Sequence, residues 1–137
     1  MKMHIERRRA LVLLAGAMAG WPAALQSKAT GRVRLVGFLT GLADDNEARI
    51  RIGAFEQGLR TYGWKPGTDV RIHYRFAADD AGRMRTYARE LVALKPDVIV
   101  GHSTPVMTHL FDATKTIPIV FVVVADPVGS GFVASIH

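Results

Sequence analysis

From residue 30 onward the apolar positions follow two periods. Val98-Ile99-Val100 and Ile117 to Val124 are apolar runs without alternation, the pattern of strands buried on both faces. Arg32 to Leu39 alternates at its start and then turns apolar, as a strand entering the middle of a sheet does. Val70, Ile72 and Tyr74 alternate with Arg71, His73 and Arg75, which predicts a strand with one wetter face. Between these strands the spacing is helical. Ala48, Ile52, Phe55, Leu59 and Tyr62 mark one face of a helix opened by Asp44 and Glu47 at capping-box spacing and ended by Gly63. Met84, Tyr87, Ala88 and Leu91 mark a second, capped by Asp79 or Asp80 and stopped by Lys95-Pro96. Met107, Leu110 and Phe111 belong to a third, from Pro105 to about Thr114, for which Ser103 or Thr104 is the expected cap. Four strands alternating with three helices predict a doubly wound, flavodoxin-like α/β layer with a parallel sheet. Counted from Arg32, the strand order is 2-1-3-4.

The first 29 residues read differently. A basic start ending in Arg7-Arg8-Arg9 leads to an apolar stretch from Ala10 to Ala19, then Trp21-Pro22 and small residues. This is the three-part pattern of an export leader, with cleavage expected after Ala29, by the general or the twin-arginine route. Residues 30–137 are then the mature unit, placed in the periplasm. The formal charge of +6 shrinks with this division: 13 basic against 11 acidic residues remain after Ala29, which removes the case for nucleic acid as a partner. Absence of cysteine excludes disulfides and thiol catalysis.

In this topology the loops after the first, third and fourth strands share one rim. They bring together Thr40 and Gly41, then His102, Ser103, Thr104 and Pro105, then Asp126 and Pro127. Hydroxyls, a glycine backbone and a helix N-terminus suit an anionic group such as a carboxylate. The bland alternative is that Ser103 or Thr104 only caps its helix and Thr40 only shapes a turn. No Gly-x-Ser-x-Gly elbow surrounds Ser103, and adjacent His102 and Ser103 make a poor catalytic pair, so no catalytic residue is expected. The histidines lack metal-ligand spacing, and no phosphate loop or dinucleotide fingerprint is present, so neither metal nor cofactor is expected.

Several linked motifs then carry a family resemblance. They are Val36-Gly37-Phe38-Leu39, Ala54-Phe55-Glu56-Gln57-Gly58-Leu59 before Gly63-Trp64, and Lys95-Pro96-Asp97-Val98-Ile99-Val100. The most specific is Ala113-Thr114 to Ile117-Pro118-Ile119-Val120-Phe121, followed by Asp126-Pro127-Val128-Gly129 and Gly131-Phe132-Val133-Ala134-Ser135. In these motifs the chain resembles the TrpX-like substrate-binding proteins of ABC transporters. The resemblance implies the first lobe of a type I periplasmic-binding-protein fold, a small solute of a class that includes amino acids as ligand, and an inner-membrane ABC permease as partner. It carries ligand contact onto Thr40, Gly41, Ser103, Thr104, Pro105, Asp126 and Pro127.

The family pattern continues beyond Ser135 into a fifth strand and a second lobe, whereas this sequence ends at His137. The expectation is a truncated form that binds weakly or not at all by itself, because one wall cannot bury a ligand. The last strand's edge is expected to lie unpaired and to invite self-association. The alternative is a small α/β interaction module that dimerises through that edge.

Overall fold

The computed structural model describes residues 10–12 and 32–122. Its elements are β1 (Ala10–Val12), β2 (Arg34–Thr40), α1 (Asn46–Thr61), β3 (Val70–Phe76), α2 (Ala81–Ala93), β4 (Val98–His102), α3 (Thr104–Ala113) and β5 (Ile119–Val122). All strands are parallel, in the order β1-β5-β4-β2-β3. Numbered from Arg32, β3-β2-β4-β5 is the order 2-1-3-4, the doubly wound α/β layer expected from the pattern. Right-handed crossovers produce it, since α1 returns the chain to one side of β2 while α2 and α3 carry it to the other.

Side-chain alternation divides the core. Even-numbered strand residues Val36, Phe38, Val98, Val100 and Val120 pack with Leu59, Trp64 and Val70 on the α1 face. Odd-numbered Leu39, Ile99, Ile119 and Phe121 pack with Met84, Leu91, Met107 and Leu110 on the α2 and α3 face. The same parity corrects the start of β2. Val33 would be the inward residue by hydropathy, yet it is 45% exposed and Arg34 is buried, because Arg34 shares the face of Val36 and Phe38. Helix ends adjust by a residue as well. Asp45, not Asp44, caps α1, accepting from the Ala48 amide at 3.0 Å, and Asp80 rather than Asp79 caps α2 through the Arg83 amide at 2.8 Å. Tyr62, expected on the buried face of α1, lies past its end and is exposed.

Two contacts bring β4 close to its neighbours. Gly101 lies against α3 so closely that a Cβ there would stand 2.5 Å from Met107 Sδ and 2.9 Å from Leu110 Cδ1. Asp97, just before β4, donates its amide to the Leu35 carbonyl at 2.8 Å, and its carboxylate accepts from Arg32 Nη2 at 2.7 Å and from the Leu35 amide at 2.8 Å. This side chain therefore sets where β4 begins beside β2.

One expectation about the sheet is overturned. The edge of β5 is not open: β1 pairs with it in parallel register, Ala10 with Ile119, Leu11 with Val120 and Val12 with Phe121. The apolar stretch assigned to a leader is also a competent strand former, and a buried parallel sheet leaves an unpaired edge open to any such segment. Gly129-Ser130-Gly131 also suggests a short helix over residues 132–134, which lie outside the described residues.

Candidate functional site

The carboxyl ends of β2 and β4 meet where the sheet gives way to loops. Thr40 and His102 are register partners on the α1 face, both buried, and Thr40 Oγ1 lies 2.9 Å from His102 Nδ1. Thr40 Oγ1 also accepts from the Leu42 amide at 3.1 Å. Accepting from Leu42 and donating its own proton to Nδ1 satisfies both neighbours, and it leaves the imidazole proton on Nε2. Burial drives the His102 pKa down, with the Arg51 charge adding to the effect and the Glu47 charge opposing it, so the ring is held neutral. Nε2 is buried and has no hydrogen-bond partner among the described residues. His102 and Thr40 line a cavity of about 10 Å³ together with Phe38, Leu42, Ala48, Arg51 and Ile52, room for about one water.

Around the end of β4 lies the second half of the rim. The Gly41 amide donates to the His102 carbonyl at 3.3 Å, and the Ser103 amide donates to the Val122 carbonyl at 3.1 Å, so the loops after β2 and β5 are both tied to this corner. Ser103 occupies the N-cap position of α3, but its side chain makes no capping hydrogen bond. The reading of Ser103 as a mere cap is thus corrected. Its φ of 93° and ψ of 154° lie in a region that glycine favours and serine rarely adopts. In that conformation the hydroxyl turns away from the helix amides, and Oγ is buried with no partner among the described residues. It lies over Gly41, where a Cβ would come within 2.9 Å of it and within 3.3 Å of Asp79 Oδ1. Gly41 is glycine here because the approach of two loops leaves no space for a side chain.

The structure therefore brings Thr40, Gly41 and Ser103 together, with Thr104 and Pro105 forming the first two residues of α3 beside them. Asp126 and Pro127 lie outside the described residues. Sequence reasoning assigned no rim role to the loop after β3. Ala77, Ala78 and Asp79 donate their amides to Thr40, Leu42 and Gly41 in turn, with Ala78 and Asp79 both at positive φ. No composition signal marks that loop, because its conformation follows from docking against the end of β2. Among the described residues no group of three or more His, Asp or Glu side chains is placed to hold a metal.

Comparison with known proteins gives a consistent picture. Residues 36–137 match the family model described as ABC transporter substrate binding protein. A tyrosine-binding protein of Clostridioides difficile is 35% identical over 83 residues, which is 61% of this chain and 24% of that protein. A solved conserved domain protein of Vibrio cholerae superimposes with a TM-score of 0.70 at 31% identity, covering 77% of this chain and 36% of its own. A ligand-free, open substrate-binding protein with adhesive properties from Clostridium difficile gives 0.65 at 30% identity, covering 72% of this chain and 33% of its own. A third structure, an ABC domain in complex with L-Trp from Streptococcus pneumoniae, gives 0.68 at 26% identity and covers 76% of this chain and 35% of its own. The chain spans about a quarter of the curated relative and about a third of these solved chains.

Proposed function

The chain belongs to the ABC transporter substrate-binding protein family, and from that premise we propose that its α/β layer is one wall of a cleft for a small solute, with an amino acid as the solute class. The observation that supports this most is Ser103. Backbone strain of this kind costs about 1–3 kcal/mol and persists where function requires it, and here it holds a buried hydroxyl without a partner at the carboxyl rim of a doubly wound sheet. Ligands of such sheets bind at that rim. In this reading Thr40 and Gly41 shape the floor, and Ser103 and Thr104 with Pro105 present hydroxyls and the α3 N-terminus to a carboxylate. Asp126 and Pro127, which follow β5 in sequence, are assigned to the same site by the family resemblance alone. The amino-acid class draws on the tyrosine-binding relative and the L-Trp complex.

The wider role follows the family. Residues 1–29 act as an export leader, and the mature chain works in the periplasm, presenting its solute to an inner-membrane permease. The role is binding rather than catalysis.

An NMR titration of the 137-residue chain with L-tyrosine and L-tryptophan tests the site. Amide shifts at Gly41, His102, Ser103 and Thr104 are expected, and they saturate as ligand is added. No shifts, or shifts confined to other residues, would overturn the site. One observation favours a second reading, self-association through β5: among the described residues three register pairs hold β1 on that edge.

A further inference from the structure

A groove between α2 and α3, away from the strand ends, has no part in the solute cleft. It encloses a cavity of about 110 Å³ lined by Arg85, Arg89, His109, Asp112 and Ala113. About 10–15 Å³ suffices for one water, so this space takes a tetrahedral oxyanion with part of its hydration.

The charges around the groove are arranged unlike those elsewhere in the chain. On α1 the helical i,i+4 pairs are Glu47 with Arg51 and Glu56 with Arg60, each a carboxylate one turn before its guanidinium. On α2 the i,i+4 pair is Arg85 with Arg89, two like charges that repel and cost helix stability about as much as an opposite pair would add. The acid of α2, Glu90, is engaged by Arg75. Neither Arg85 nor Arg89 has a carboxylate within ion-pair distance among the described residues. Across the groove α3 contributes His109, a further nitrogen group, and a single carboxylate, Asp112, which also has no ion pair among the described residues.

We propose that this groove is a binding site for a protonated phosphate group, either free phosphate or a phosphomonoester. Arg85 and Arg89 donate to its oxygens in charge-assisted hydrogen bonds, with His109 facing them. Asp112 sets the specificity. An ionised carboxylate can only accept, so it welcomes an oxyanion that still carries a proton and repels one that does not. Inorganic phosphate near neutral pH keeps a proton, a phosphomonoester keeps one as pH falls towards about 6, and sulfate has none.

Titration of the full chain with inorganic phosphate and with sulfate, at constant ionic strength and followed by calorimetry, tests the site. Saturable phosphate binding is expected, with sulfate about tenfold weaker or worse. Arg85→Gln and Arg89→Gln each weaken phosphate binding about tenfold, as loss of one charge-assisted bond does, and Asp112→Asn brings sulfate level with phosphate. These side chains are exposed or half-buried, so thermal melts of the variants stay close to the parent. Vesicles containing phosphatidic acid distinguish the source: co-sedimentation with them and not with phosphatidylcholine vesicles assigns a lipid headgroup, and phosphate binding without co-sedimentation assigns the free ion. Absence of saturable binding, equal affinity for sulfate, or binding unchanged in both arginine variants would overturn the proposal.

Discussion

Ser103 carries the sharpest conflict between local preference and position. Its backbone conformation suits glycine, its hydroxyl caps nothing, and the helix it precedes begins regardless. Ser103→Gly is expected to stabilise the fold by about 1 kcal/mol, the lower end of the strain such residues store, while weakening any shift produced by L-tyrosine at Gly41. A urea melt and the titration together check it, and a destabilised variant would show that the conformation is not strained. Gly101 is the opposite case, where the small residue is required. Gly101→Ala forces a methyl into Met107 and Leu110, both fully buried, and is expected to cost about 1–3 kcal/mol as overpacking does. His102 adds a pH dependence. Because the fold lowers its pKa, the unfolded chain takes up a proton first as pH falls, so stability declines once pH drops below the ordinary value of 6.5 and continues to decline through the folded pKa. Denaturant melts between pH 7.5 and 5 should show that slope, and His102→Asn should flatten it. None of these three features is legible in the sequence. A serine before Pro105 reads as a cap, a glycine in a strand reads as slack, and a histidine among apolar residues names no partner.

At the scale of elements the pattern was far more informative, because helices and strands are set by periodicity that each segment carries within itself. Every predicted strand and helix from Arg32 to Val122 is present, with ends displaced by one or two residues. The displacements have local causes. Asp45 rather than Asp44 reaches the Ala48 amide, while Asp44 sits outside and pairs with Arg49 on the surface. Asp45→Ala is accordingly expected to cost about 1 kcal/mol, and Asp44→Ala less than about 0.5 kcal/mol, a difference that parallel chemical melts resolve. The pairing of β2 with β4 depends on Asp97. Burial pushes its pKa up, but the hydrogen bond from Arg32, the Leu35 amide and the nearby guanidinium charges of Arg32 and Arg34 outweigh it, so the carboxyl ionises below its ordinary value of 3.8. Stability from this group is present above that value and is lost as pH falls through the folded pKa. Asp97→Asn should remove this acid-sensitive component while leaving the His102 slope at higher pH in place.

Among the described residues the sheet is parallel throughout, and its outer edge strand comes from the stretch that the sequence reading expects to be an export leader. Among the described residues β1 covers the edge of β5 through three register pairs. Leu11→Pro removes a backbone donor from β1. The variant is expected to keep its helical content and to gain mass with concentration in light scattering, since a bare parallel edge recruits another strand. A variant that stays at the parent's mass would show that the edge needs no cover.

By itself the sequence determined the class of fold, the order of its strands and the neighbourhood of the rim. Those properties follow from apolar period and from the handedness of crossovers, and both can be read one segment at a time. Tertiary structure alone decided which groups at the rim are left unsatisfied. Thr40 and His102 pair because strand register sets them opposite each other across 62 positions of chain, and Ser103 is strained because two loops and a helix converge on it. It also decided that the edge beside β5 is covered and that Arg85 and Arg89 face His109 and Asp112. Contacts between segments distant in sequence leave no periodic trace in either one, so only their packing reveals them.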